Sequence, residues 1–315
     1  MTRRRDLSHP RPGRYNQRER DPNGLDGANG MSPTPDQIAV AAYHRWRKRA
    51  GTHGGDRDDW VAAEKDLTFG LNYRYLVRLP LVGPIVRLGQ TDPEPAGARR
   101  CRYCEQAEPS ATFERDSAAV PSFVGNQALM SWDECDDCRA SFESHLAGPF
   151  EAFARPWIEG RGASKTVTVA AWKALVRMAL AVMPAAELDH FGDAAEWVAN
   201  PDHARDAVLL AGQGCHVYAT PAPIAAPFVA LARRVQDNAP WPYALFFLAS
   251  GRAVFQTHLP LCPRDDELDD LDLRGPVLSM SLGSGAALRG SDCTFLPVES
   301  PRLVTASGKL VNNPD

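Results

Sequence analysis

Apolar residues fall into segments of different period along the chain, and each period predicts an element. Ile38, Ala42, Tyr43 and Trp46 follow i, i+4, i+5, i+8 spacing, which draws one apolar stripe on a helix. Thr34 or Asp36 can cap that helix, and Gly51, Gly54 and Gly55 break it. Asp58 opens a second short helix with Trp60, Ala63 and Leu67 on its inner face, so residues 34–68 read as a helical hairpin with Tyr43, Trp46 and Trp60 as a small aromatic core. Residues 166–183 are apolar on nearly every side and predict a buried helix stopped by Pro184. Glu187 to Val198 predicts another helix, with Leu188, Phe191 and Trp197 inward. Residues 214–219 predict a short strand, and residues 222–236 a helix containing Phe228, Val229 and Leu231. Residues 243–249 and 252–260 flank Ser250-Gly251 and predict a β-hairpin.

Between these segments the pattern weakens. Residues 1–30 are rich in Arg, Pro, Gly, Asn and Asp and nearly free of large apolar side chains, which predicts a disordered basic tail. Residues 71–100 form a basic connector carrying Arg74, Arg78, Arg87, Arg99 and Arg100. Its first half is apolar and suits a short strand or an extended arm, because Pro80 and Pro84 oppose a regular helix. The expected organisation is therefore tail 1–30, helical hairpin 31–70, connector 71–100, a cysteine module 101–162, a C-terminal α+β domain 163–300, and a tail 301–315.

Composition narrows the function classes. The chain of 315 residues is 44% hydrophobic with a formal net charge of −4, which suits a globular protein without a global pull toward nucleic acid or anionic membrane. No apolar run approaches the ~20 residues of a membrane span, and the arginines at the start have no apolar region behind them. A cytoplasmic location is expected.

Of seven cysteines, four form two CxxC pairs: Cys101 with Cys104, and Cys135 with Cys138. Each CxxC turn brings two thiolates within reach of one ion, and two turns complete a tetrahedral zinc shell. The intervening segment, Glu105 to Glu134, is long enough for a hairpin. A redox pair lacks the βαβ context such motifs need. The remaining Cys215, Cys262 and Cys293, with His216 and His258, have irregular spacing and read as buried thiols rather than a second metal site. The acidic run Asp265, Asp266, Glu267, Asp269, Asp270, Asp272 lacks the placed glycine and closing glutamate of a calcium loop. Gly283, Gly285 and Gly290 lack dinucleotide-loop spacing.

The run CxxC, Thr112-Phe113, Asp116, Pro121, Gly125-Asn126 and Asp133-Glu134-Cys135 resembles the cysteine-bearing group of the HNH endonuclease superfamily over about 45 residues. The resemblance implies a ββα-metal fold braced by a zinc knuckle. The hairpin residues Ala42-Tyr43, Trp46, Asp59-Trp60 and Ala63-Glu64 separately resemble a small bacterial domain of unknown function, which implies no chemistry.

The departures from the nuclease pattern bear on activity. An HNH nuclease needs a histidine to deprotonate water and a divalent ion to stabilise the leaving oxygen. Ala118 stands where that group has its general base, Ser117 precedes it, Arg139 follows the last cysteine, and Phe142 stands where other groups place a metal-binding histidine. Asn126 matches the pattern, and Asp116 and His145 are the remaining weak candidates for a rebuilt site holding Mg2+ or Mn2+. Residues 101–165 carry six Lys or Arg against eleven Asp or Glu, which opposes DNA binding by the module alone. The expectation is a zinc-binding, degenerate HNH-like protein serving as a binding or scaffold protein for an unknown protein partner. An active metal-dependent endonuclease is the alternative, and nucleic acid contact would go through the basic tail or connector.

Overall fold

The computed structural model describes residues 32–49, 51, 54–90, 98–162, 164–200, 212–237, 239–268, 271–273 and 293–299. The two tails and Gly283, Gly285 and Gly290 lie outside the described residues. Among those described, no helix is long and apolar enough to cross a membrane.

Helices α1 (Pro35–Lys48) and α2 (Asp56–Asn72) form the hairpin. Thr34 caps α1, its hydroxyl accepting from the Gln37 amide while the Gln37 side chain accepts from the Thr34 amide, so two orphan donors are satisfied at once. The inner face differs from the expected aromatic core. Ile38, Ala62 and Ala63 are buried, whereas Tyr43 and Trp60 are exposed, and Tyr43 stacks on Trp46 along the outside. Small alanines let the two helices approach closely, which pushes the large rings outward. The ion pair Arg49–Asp59 ties the end of α1 to the first turn of α2 across the connecting turn.

From α2 the chain passes directly into β1 (Tyr73–Pro80), so the first half of the connector is a strand. Next come β2 (Val86–Leu88), β3 (Ser117–Ala118), a 3₁₀ turn at Ser122–Val124 and β4 (Leu129–Ser131). Helix α3 (Asp136–Phe142) runs through a π-turn at Glu143–Ala147 into α4 (Gly148–Ile158). Helix α5 (Val169–Val182) is buried along its length, as its all-round apolar pattern predicts. The predicted helix after Pro184 is instead broken into α6 (Ala185–Leu188), a 3₁₀ turn at Asp189–Phe191 and α7 (Gly192–Ala199).

The C-terminal part adds β5 (Gly214–Ala219), β6 (Phe228–Arg234), β7 (Ala244–Ser250), β8 (Ala253–His258), the short α8 (Pro263–Asp266) and β9 (Cys293–Pro297). The chain is thus α+β. A six-stranded antiparallel sheet has the order β1-β6-β7-β8-β5-β9, and a three-stranded sheet has the order β2-β4-β3. The β7–β8 hairpin closes with Ser250 opposite Ala253 and Gly251 at φ 53°, as the sequence predicts.

Residues 228–234 correct the expected helix. They pair with β1 on one side and β7 on the other, and nearly every position is buried. A strand covered on both faces reads as a continuous apolar run, which periodicity cannot tell from a buried helix. The two faces of the sheet feed two cores. Leu231, Phe246, Leu248 and Phe255 pack toward α5, while Ala230, Phe247 and Val254 pack with Phe69 and Tyr73 on the other side. The α5-side core also takes in Cys101, Leu129, Cys135, Phe150 and Phe153, so apolar packing runs without a break from the cysteine segment into the chain beyond residue 162.

Candidate metal centre

The four cysteines come from two tight turns. After Cys101 the chain doubles back: the Glu105 amide donates to the Cys101 carbonyl, Glu105 sits in the left-handed region at φ 59°, and the Cys101 amide donates to the Gln106 carbonyl. Bridging of Arg100 with Ala107 closes this turn. The second pair sits at the start of α3. Cys135 occupies the N-cap, and its sulfur accepts from the Cys138 amide at 3.5 Å. The Cys135 amide in turn donates to Cys101 Sγ at 3.5 Å, which joins the two turns. Asp136 fixes the helix start: its carboxylate accepts from the Glu114 amide at 2.9 Å, and its own amide donates to the Thr112 carbonyl.

All four sulfurs lie within 4.8 Å of one another, and Cys104 and Cys135 Sγ are 3.7 Å apart. A tetrahedron of zinc–sulfur bonds of about 2.3 Å has edges of about 3.8 Å, so the donor set fits that ion. Among the described residues this is the group of His, Cys, Asp or Glu with three or more ligand atoms gathered to hold a metal. The Cys138 side chain and several backbone N–H groups hold the Cys101 thiol down to about 5. The same bond with Cys101 pushes Cys138 up, and burial pushes Cys135 up to about 12. A cluster this tight cannot carry four thiolates unaided, and a divalent cation would supply the charge that lets the remaining protons leave.

The knuckle is fastened to α5 in two ways, by the Arg102 guanidinium that Asp133 holds against the helix end and by an ion pair from Glu134. Arg102 grips the Asp133 carboxylate with both Nε and Nη2, at 2.7 and 2.6 Å, and sends Nη1 to the carbonyls of Leu180 and Ala181 at the end of α5. Both carbonyls lie in the last turn of α5, where the i→i+4 ladder runs out, and that of Leu180 also accepts from the Met183 amide at 3.1 Å. Gly89, at φ 86°, passes so close to this pair that a β-carbon there would stand 2.4 Å from the Asp133 carboxylate. Arg177, from the middle of α5, meets Glu134 at 2.5 Å, and Glu134 also accepts from Ser117 Oγ at 3.0 Å. The Arg177 guanidinium further donates to the Ala118 carbonyl and lies over the Phe142 ring. Tyr103, between the first two cysteines, donates its hydroxyl to the Arg177 carbonyl.

These fastening residues were not identified from sequence, yet a signal existed. Arg177, like Lys173 one turn earlier, stands among apolar residues on a helix buried all round, and a charge in that position demands a buried partner.

The weak catalytic candidates do not gather. Asp116 is on the surface and pairs with Arg87 at 3.3 Å. His145 is exposed on the π-turn. Asn126 is buried, and its amide donates to the carbonyls of Val120 and Leu129 while accepting from the amides of Ala128 and Leu129. That set braces the β3–β4 turn and leaves the side chain no donor for a substrate. A cavity does open beside Ala118, but none of Asp116, Asn126 and His145 borders it.

The other cysteine and histidine candidates stay apart as a ligand set. Cys215 and Cys262 are buried thiols, and burial pushes both up, Cys262 to about 12. His258 packs against Trp172 and meets Gln213, and His216 packs against Phe295. Asp265 of the acidic run pairs with Arg234 at 3.2 Å and accepts from the Tyr243 amide at 2.8 Å, a structural use.

No curated protein and no solved structure matches the chain. A family model described as a protein of unknown function, DUF2934, matches residues 33–68, the α1–α2 hairpin that carries the aromatic and glycine pattern.

Proposed function

We propose that this protein is a zinc-braced, HNH-like scaffold without nuclease activity, in which one structural zinc on Cys101, Cys104, Cys135 and Cys138 holds a small knuckle against α5. The observation that carries it is the gathering of four sulfurs within 4.8 Å of one another; the resemblance to the HNH group puts Ala118, on β3, where that group has its general base. An antiparallel β3–β4 pair followed by α3 supports the ββα-metal likeness. The use of Asp133 and Glu134 as fastenings supports a structural reading of the whole run, because both carboxylates are spent on arginines.

Alanine neither accepts a proton nor holds a metal, and the three substitutes are spread over an exposed ion pair, a backbone brace and an exposed turn. A catalytic ion needs several converging ligands. The protein acts by binding, with the C-terminal α+β region as the surface for a protein partner. Two measurements test this. Elemental analysis of the purified chain is expected to return one zinc per molecule. A plasmid-nicking assay with Mg2+ or Mn2+ is expected to give no cleavage. Cleavage that disappears in Asp116→Ala or His145→Ala would overturn the scaffold reading in favour of a rearranged nuclease.

A further inference from the structure

The four cysteines of the knuckle are not equally accessible. Cys101, Cys135 and Cys138 are buried, whereas Cys104 is half-buried and leads into the exposed residues Glu105 and Gln106. An oxidant arriving from solvent therefore meets Cys104 first. Oxidation of a cysteine follows its thiolate character and its access together. Metal ligation supplies the first to all four sulfurs, since a ligating thiol is deprotonated. Access then singles out Cys104.

A second sulfur stands ready beside it. Cys135 Sγ lies 3.7 Å from Cys104 Sγ. Solvent reaches Cys135 poorly, but an oxidised Cys104 meets it after a short movement. Glu105 and Glu108 are exposed beside this turn. Hydrogen peroxide is small and uncharged, so those carboxylates do not repel it.

We propose that Cys104 is a site of oxidation by peroxide and Cys135 its resolving thiol, so that the knuckle gives up its metal when the two close to a disulfide. The proposal rests on the zinc reading for the metal that is released. The Cys104 thiolate attacks one oxygen of the peroxide, the O–O bond breaks, and hydroxide leaves and takes a proton to become water. Cys104 is then a sulfenic acid. The Cys135 thiolate attacks that sulfur, the S–O bond breaks, and a second hydroxide leaves as water. Two thiolates, one peroxide and two protons thus become one disulfide and two waters. The sulfurs give up the two electrons that the peroxide takes.

Cys101 and Cys138 remain, too few for a four-coordinate shell. Cys135 also stops serving as the cap whose sulfur accepts from the Cys138 amide, so the first turn of α3 loosens. The Arg102 and Arg177 links to α5 involve no sulfur and persist, which leaves the knuckle docked and the change reversible by a thiol reductant.

Peroxide treatment of the zinc-loaded, full-length protein tests this. Freed zinc is read with a chromogenic chelator, and disulfides are mapped by peptide mass on samples alkylated at intervals. Zinc is expected to leave in step with a Cys104–Cys135 linkage, and reductant with added zinc is expected to reverse both. Cys104→Ser is expected to slow oxidation of Cys135 by about tenfold or more. A first linkage that omits Cys104, no disulfide among the four positions, or zinc retained once the Cys104–Cys135 linkage is complete overturns the proposal. If Cys104→Ser fails to fold, the order of events on the unaltered chain decides. Zinc content is measured before peroxide is added, so failure of the metal reading shows there, and the linkage map on the same sample still decides the pairing.

Discussion

Glu134 and Arg177 form a buried ion pair at 2.5 Å, with no exposure of the Glu134 side chain and 10% of that of Arg177. The pair joins the residue before Cys135 to the centre of α5, so the cysteine segment and the helix are held as one packed unit. Taking two charges out of water is costly, and removing one partner leaves the other unpaired in the core. Glu134→Ala is expected to destabilise the protein by about 3–5 kcal/mol. The double variant Glu134→Leu with Arg177→Met is expected to recover a large part of that loss. Urea denaturation of the zinc-loaded protein checks both, and a single variant within ~0.5 kcal/mol of the parent would dismiss the fastening role.

Cys135 takes part in both turns of the knuckle, capping α3 and lying 3.7 Å from Cys104 Sγ. Cys135→Ser is expected to lose the bound zinc, and a strong chelator is expected to lower the melting temperature of the parent by ~10 °C or more, since metal binding free energy is folding free energy at such sites. Elemental analysis and a thermal melt with and without chelator read this out.

Asn126 makes four hydrogen bonds to backbone groups from a buried position. Asn126→Ala takes the side-chain partner from the Val120 carbonyl and from the Ala128 and Leu129 amides, while the Leu129 carbonyl keeps the Ala119 amide, and is expected to cost at least about 1–3 kcal/mol. By contrast, Asp116→Ala removes one exposed ion pair and is expected to cost under about 1 kcal/mol. Comparing the two denaturation midpoints tests whether this part of the chain is built for bracing or for chemistry.

His258 is buried against Trp172 and meets Gln213, and burial followed by the nearby His216 holds its imidazole down at about 3. Unfolded, the ring takes up a proton near pH 6.5, which the folded chain refuses until much lower pH. Its contribution to stability is therefore complete above pH 6.5 and is lost as pH falls toward 3, at up to about 1.4 kcal/mol per pH unit. His258→Gln is expected to flatten the acid limb of the stability curve over that window. An unchanged slope in urea titrations between pH 4 and 6.5 would refute it.

Local elements with strong patterns were legible. Thr34, one of the two caps offered, closed the start of α1, the apolar run over 166–183 became buried α5, and Ser250-Gly251 turned the β7–β8 hairpin. Elements decided by distant partners were not. Residues 228–234 became a strand because β1 and β7 lie on either side, and β1 starts more than 150 residues earlier in the chain. Tyr43 and Trp60 turned outward because Ala62 and Ala63 let the hairpin close tightly beneath them.

The sequence alone determined which sulfurs would meet, because CxxC spacing is short and the two-turn geometry needs little from the rest of the chain. It also determined that position 118 offers no proton acceptor, since residue identity settles that by itself. Only the tertiary structure decided what surrounds the cluster: Asp133 and Glu134 bound to arginines, Asn126 bound to backbone, and Asp116 and His145 left at the surface. The physical reason is range. A turn is fixed by a few dihedrals and neighbouring atoms, whereas the partner of a buried charge is chosen by packing among residues far apart in sequence.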